Sequence, residues 1–193
     1  MICGVDEAGR GPVFGPLVIA GVLVQDDTKL KEIGVRDSKK CTPWQREELS
    51  DKIRDIAANI EVLVIEASDI DDMRKVMTIN DIEANAFAKI IEKLKPDISY
   101  LDSADVNDER FGKDILARLS YKPKIISKHK ADEIYPVVSA ASIIAKTIRD
   151  ERVRIIEQEL RQKLDLPLGS GYPADPITKN FLENWLKNYE ELP

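Results

Sequence analysis

Two acids, Asp6 and Glu7, stand side by side where the first apolar run of the chain ends, and Gly9, Arg10 and Gly11 follow at once. Adjacent carboxylates repel, and burying them without counter-charge is costly. Small residues around one fork-shaped cation mark a place where backbone comes close to a partner. Further along, Asp102 closes another apolar run, and Asp132 follows a later one, near the start of a long helical pattern. If the strands that end at Asp6 and Asp102 are neighbours, the two acids converge at one sheet edge. Glu7 joins them if the chain turns at Ala8-Gly9, and Asp132 reaches the same point from its helix.

Carboxylates at such range cannot all stay ionised alone. Hard divalent cations supply the missing charge through oxygen ligands, and Mg²⁺ suits a few carboxylates together with waters and a phosphate. Two such ions can activate a water and stabilise the leaving oxygen of a phosphodiester. His129 is the only histidine, and Cys3 and Cys41 are the only cysteines, so no cluster redirects this chemistry to zinc or iron. The bland alternative is that an Asp at a strand end is a cap or turn residue. Taken singly, Asp102 and Asp132 read that way. Asp6-Glu7 inside a glycine turn has no obvious structural use.

The elements that must hold these residues follow from the apolar pattern. Ile2–Val5 and the β-branched run Leu17–Val24 read as an antiparallel strand pair, with Gly15-Pro16 before the second. Asp26–Lys40 is polar and reads as a loop with a short element. Thr42, Pro43 and Gln45 predict a helix start with a capping box, and Leu49, Ile53 and Ile56 continue it. Ile60–Ile65 is a third strand. Ile79, Ile82, Ala86, Phe87, Ile90 and Leu94 form a helical stripe that Pro96 stops. Asp97–Leu101 is a fourth strand, a helix covers roughly Glu109–Leu119, and Pro123–Ser127 is a fifth strand. A long helical pattern begins after Tyr135-Pro136, with a break expected near the charged run Arg149–Arg152. The turn Gly169-Ser170-Gly171-Tyr172-Pro173 follows, and Asp175-Pro176 starts a last helix with Phe181, Leu182, Trp185 and Leu186. This order implies an α/β protein, a mixed sheet covered by helices. Residues 1–193 read as one domain, with roughly 136–193 its helical C-terminal part.

With 193 residues, 43% hydrophobic and 33% charged, the chain is long enough for a real core and too apolar to be disordered. No apolar run approaches a bilayer span, and Asp6-Glu7 interrupts any secretory signal, so no membrane partner and a reducing cytoplasm are expected. A net charge of −6 argues only modestly against a nucleic-acid partner, because such proteins act through local patches. Arg36, Lys39 and Lys40 form one basic loop; Lys122, Lys124, Lys128 and Lys130 surround His129; Lys146 lies in the long helix. These are phosphate-contact candidates, although Lys122 and Lys124 read better as solvated surface. His129 reads as a lone exposed histidine, and Trp44 and Trp185 as core.

Five stretches carry a resemblance. They are GVDEAGRGPVFGPLVIAGV from Gly4, RDSKK at 36–40, YLDSADV at 100–106, SKHKADEIYPVVSAASIIAK at 127–146 and GSGYPADP at 169–176. Together, and in this order, they resemble the type 2 ribonucleases H (ribonuclease HII), in the archaeal and eukaryotic branch. The resemblance implies a ribonuclease H-like fold: a five-stranded mixed sheet flanked by helices with a C-terminal helical extension. It implies that Asp6, Glu7, Asp102 and Asp132 bind Mg²⁺ or Mn²⁺ and are catalytic. Gly9-Arg10-Gly11 would sense the ribose 2′-OH, the group that separates RNA from DNA. Tyr172 would stack on the nucleotide 3′ of the target ribose; from the residues alone it reads equally well as a packed turn residue. Ser38, Lys39 and Lys146 would contact the backbone.

The implied activity is an endoribonuclease acting on the RNA strand of RNA–DNA hybrids and on single ribonucleotides in duplex DNA. It would cut 5′ of the ribonucleotide and leave 3′-OH and 5′-phosphate ends. A monomer is the family expectation. Docking of the C-terminal stretch on a replication clamp has no convincing motif behind it, and a core-packed terminal helix is expected instead. Three rivals stand beside this reading. A related-fold DNA nuclease of the resolvase or integrase type would not need Gly9-Arg10-Gly11. A non-catalytic hybrid-binding module would not need four acids. A magnesium-dependent phosphatase would leave the basic loops and Tyr172 unexplained.

Overall fold

A computed structural model describes residues 1–35, 41–103 and 105–193. Its sheet holds β1 (Ile2–Ala8), β2 (Leu17–Val24), β3 (Asn59–Ile65), β4 (Ile98–Asp102) and β5 (Lys124–Lys128) in the order β3-β2-β1-β4-β5. Pairing is antiparallel between β1 and β2 and between β2 and β3, and parallel from β1 to β4 and from β4 to β5. The mixed sheet and the early antiparallel pair are therefore as the sequence implies. Helices α1 (Thr28–Glu32), α2 (Pro43–Ile56), α3 (Ala67–Met73), α4 (Ile79–Leu94), α5 (Asp108–Ala117), α6 (Ala131–Ile134), α7 (Pro136–Arg161) and α8 (Pro176–Tyr189) complete the described elements.

The alternation of β2 sorts its side chains onto two faces. Leu17, Ile19 and Leu23 join Phe87, Ile90, Phe111 and Ile115 under α4 and α5. Val18, Ala20, Val22 and Val24 join Ile53, Val137, Ala141 and Ile144 under α2 and α7. Both faces are covered, so the strand carries an unbroken apolar run instead of a polar–apolar alternation. Gly4 lets α7 come that close: a Cβ there would lie 2.1 Å from the Val137 carbonyl oxygen.

Local signals set the helix ends. The Thr42 hydroxyl accepts from the Gln45 N–H at 3.3 Å, and the Gln45 side chain accepts from the Thr42 N–H at 2.9 Å. Thr78 and Asp81 repeat this box at the start of α4. Pro136 occupies the first turn of α7, where its missing N–H costs nothing.

Three expectations are corrected. The long helix does not break at Arg149–Arg152: α7 runs through 26 residues. Arg149 and Val153, four apart, face inward, while Asp150 and Arg154 bind Arg46 and Glu47 of α2. Trp44 is not core; it is 69% exposed near the start of α2, because the apolar stripe of that helix begins only at Leu49. The short helices α3 and α6 were not expected, since neither offers enough residues for periodicity to show. Trp185 is buried as expected, in a smaller cluster with Val153, Leu168 and Phe181. Phe14 packs edge-on against Phe181, with ring centroids 5.8 Å apart, and ties this cluster to the loop before β2.

Candidate active site

The sheet itself brings the acids together. Val5 of β1 pairs in register with Leu101 of β4, so Asp6 and Asp102 follow at matching heights on neighbouring parallel strands. The Asp102 carboxylate accepts the Ala131 N–H at 2.7 Å. That bond brings the start of α6, and with it the buried Asp132, to the end of β4. Asp6 accepts the Glu7 N–H at 2.7 Å and a hydrogen bond from the Ser142 hydroxyl of α7. Burial, then repulsion from Asp102, pushes the Asp6 carboxyl up to about 7, against the pull of Lys146. Glu7 is raised well above the ordinary carboxylate range, by burial first and then by Asp6, Glu83 and Asp102. Its Oε2 is buried with no hydrogen-bond partner among the described residues.

Beside these acids lies a cleft of about 350 Å³. Glu7 to Gly11 form one wall, and Arg46, Lys146, Arg149, Asp150 and Tyr172 the others. Gly9 adopts φ +98°, and a Cβ on it would lie 2.3 Å from the Pro16 carbonyl oxygen and 2.9 Å from the Arg149 stem. Packing thus accounts for Gly9 on its own. It does not account for Gly11, where a Cβ would meet open space. Arg10 lines the cleft, yet its guanidinium reaches α4. Its Nη2 donates to the Asn80 side chain at 2.7 Å, and its Nε stands 3.1 Å from Glu83. Asn80 donates in turn to Asp105 in the loop after Asp102, at 3.0 Å. Glu83 is fully buried, which raises its carboxyl to about 7 despite Arg10.

A family model, Ribonuclease HII, matches residues 3–193. The chain belongs to the ribonuclease HII family. Ribonuclease HII from Methanosarcina barkeri is 49% identical over 203 residues, covering 100% of this chain and 89% of that protein. The enzyme in a PCNA:RNase HII complex from Archaeoglobus fulgidus superimposes with a TM-score of 0.92 at 40% identity, covering 100% of this chain and 90% of that one. Ribonuclease H2 from Pyrococcus horikoshii gives 0.89 at 43% identity, with the same coverage. The ribonuclease H-like fold expected from the sequence is therefore the fold observed. Membership makes this chain a ribonuclease H, a hydrolase acting on RNA in RNA–DNA hybrids and dependent on a divalent metal.

As they stand, no three His, Cys, Asp or Glu side chains among the described residues are spaced to hold a metal. The donor set nevertheless fits a hard divalent cation. It is all oxygen, Asp6, Glu7 and Asp102 repel one another, and Glu7 has a buried oxygen with no partner. Asp6, Glu7 and Asp102 are thus neighbours, with Asp132 one residue beyond the contact made by Asp102. Lys146 is near Asp6, and Tyr172 shares the cleft with Gly9 to Gly11. Ser38 and Lys39 lie outside the described residues. His129, Lys122 and Lys124 are exposed, as read from the sequence. No helix among the described residues is long and apolar enough to cross a membrane.

Sequence reasoning missed Ser142, Arg46, Arg149, Asn80 and Glu83. Two left a signal. Glu83 sits inside the apolar stripe of α4, beside Ile82, where a charge needs a partner. Arg149 precedes Val153 by one turn on the inward face of α7.

Proposed function

We propose that this ribonuclease HII cuts the RNA strand of RNA–DNA hybrids and also single ribonucleotides embedded in duplex DNA. Water adds to the phosphorus on the 5′ side of the ribonucleotide and the bond to the preceding O3′ breaks, leaving 3′-OH and 5′-phosphate ends. The observation that carries this reading is one cleft shared by Glu7, Gly9-Arg10-Gly11, Lys146 and Tyr172. Hydrolytic acids and a surface able to read ribose are adjacent there, as a cut beside a single ribonucleotide requires.

Asp6, Glu7, Asp102 and Asp132 would hold Mg²⁺ or Mn²⁺, which when bound acidifies water and offsets charge on the leaving oxygen. Ser142 orients Asp6 by donating to it. Lys146 places positive charge beside Asp6, suited to a phosphate oxygen. The backbone at Gly11, with open space where a side chain would stand, lets a sugar approach. The Tyr172 ring, 38% exposed, offers a face to the adjacent nucleotide. Ser38 and Lys39 add backbone contacts. The chain acts as a monomer of one domain in the cytoplasm. A sliding clamp is a candidate partner, since the solved ribonuclease HII from Archaeoglobus fulgidus is in a PCNA complex.

The test is end-mapping on a labelled DNA duplex with one internal ribonucleotide. The expected product ends in a 3′-OH at the deoxynucleotide just 5′ of the ribose, with no cut in the all-DNA duplex. Equal cutting of the all-DNA duplex would support a DNA nuclease instead, and binding without cleavage would support a non-catalytic module.

A further inference from the structure

Arg149 touches both loops that border the ribose-reading part of the cleft, the one after β1 and the one that carries Tyr172. It is 4% exposed, and its Nη2 donates to the carbonyls of Phe14 and Ser170, each at 3.2 Å. Its guanidinium lies 4.8 Å from the centre of the Tyr172 ring. Its stem fills the space against Gly9 that a Cβ would need. No carboxylate among the described residues is within ion-pair distance of it, and its Nε is buried with no hydrogen-bond partner. The neighbouring acid, Asp150, is taken by Arg46 at 2.8 Å. A fold that only needed to fill this space would use an apolar side chain, since a buried cation without an anion is costly.

The contacts explain the choice. The Gly9 turn leaves β1, and the Tyr172 turn follows α7 far along the chain. Between them the Val13 N–H donates to the Gly171 carbonyl at 2.8 Å, and the guanidinium reaches both sides of that seam. Gly171, at φ +79°, brings its carbonyl to Val13 and leaves 3.3 Å between its would-be Cβ and Arg149 Nη2. One guanidinium nitrogen binds both carbonyls while the flat cation lies against the aromatic ring, a combination no apolar side chain offers.

We propose that Arg149 is a positioning residue that fixes Tyr172 against the Gly9–Gly11 turn and thereby sets discrimination for ribose. The inference rests on the reading that these residues recognise the ribonucleotide. Arg149 acts through Tyr172, so its loss weakens turnover of a ribonucleotide substrate only while Tyr172 is present.

The test is a double-mutant cycle of Arg149→Gln and Tyr172→Ala on duplex DNA with one ribonucleotide, together with Arg149→Lys. Arg149→Gln is expected to lower kcat/KM between tenfold and a hundredfold. In the Tyr172→Ala background the same change is expected to matter less than about twofold. Arg149→Lys keeps charge and stem and should recover part of the loss. Labelling the five tyrosines with 3-fluorotyrosine gives a second readout free of substrate, with Tyr172 assigned by Tyr172→Phe. Its ¹⁹F resonance should shift in folded Arg149→Lys while the other four stay in place. Losses that multiply in full, or an unmoved Tyr172 resonance, overturn the proposal. If the unmutated protein does not cut the ribonucleotide duplex, the reading of the site fails. A shifted resonance would then still support the positioning of Tyr172, and an unshifted one would overturn it.

Discussion

The acid site and the cleft proposed to read ribose lie side by side but are held by different means. Asp6 and Asp102 are fixed by backbone register, one residue past the Val5–Leu101 pair of two parallel strands. Tyr172 and Gly9 come from distant parts of the chain; a backbone bond from Val13 to Gly171 joins their loops, and one long side chain, Arg149, reaches both residues. A register-held site tolerates changes at its edges and fails when its own carboxylates change. A cleft held by side chains is vulnerable at residues that never touch substrate. The contacts of Arg10 with Glu83 and with Asn80, and of Asn80 with Asp105, extend the second pattern toward α4.

The largest expected effect separates the two. Asp6→Asn removes a carboxylate of the proposed metal set, and cleavage is expected to fall by at least about 10²–10³-fold. The strands stay in place, and relief of the Asp6–Asp102 repulsion should raise the thermal midpoint of the metal-free protein. A melting curve and a turnover assay on the same sample check both halves. A lowered midpoint would mean that the acid pair supports the fold.

Gly9→Ala probes the other region. At φ +98° and 2.3 Å from a carbonyl oxygen, the new Cβ should cost about 1–3 kcal/mol of stability. It should also displace the Arg149 stem, so ribonucleotide cleavage drops more than hybrid binding. Denaturant unfolding and a binding titration measure the two. Gly11→Ala, with open space around its Cβ, should leave stability unchanged and weaken only the ribonucleotide cut.

A pH series sharpens the acid side. Asp6 and Glu83 are raised to about 7, and Glu7 is raised as well. Folded protein therefore holds more protons than unfolded protein between about pH 4 and 7. Stability of the metal-free protein is expected to fall as pH rises through that window. Thermal midpoints in chelator at a series of pH values test this, and Asp6→Asn should flatten the slope.

The smallest effect belongs to Trp44. At 69% exposure, Trp44→Ala should change stability by no more than about 0.5 kcal/mol. A larger loss would mean the ring is covered in solution.

The same contrast explains what could be read from sequence. Strand ends are local: β-branched runs stop, acids follow, and Asp6 beside Glu7 stands out without a structure, whereas Asp102 taken singly reads as a turn residue. Thr42 marks a helix start within four residues. Arg149 left only the spacing to Val153 as a signal, which its charged neighbours masked by suggesting a helix break, and its partners lie up to 135 residues away. Trp44 misled because a tryptophan near a helix start resembles core until the stripe is seen to begin at Leu49. Glu83 and Asn80 sit in a well-marked helix, but only the fold shows that Arg10 reaches them.

The most direct test compares the protein with Asp102→Asn on a DNA duplex containing one ribonucleotide, with Mg²⁺ or Mn²⁺ and with chelator. Cleavage 5′ of the ribonucleotide by the unmutated protein, stopped by chelator, is expected. The variant is expected to bind the duplex without cleaving it, if Asp102 belongs to the metal site. Cleavage by Asp102→Asn within about twofold of the unmutated rate would contradict that assignment.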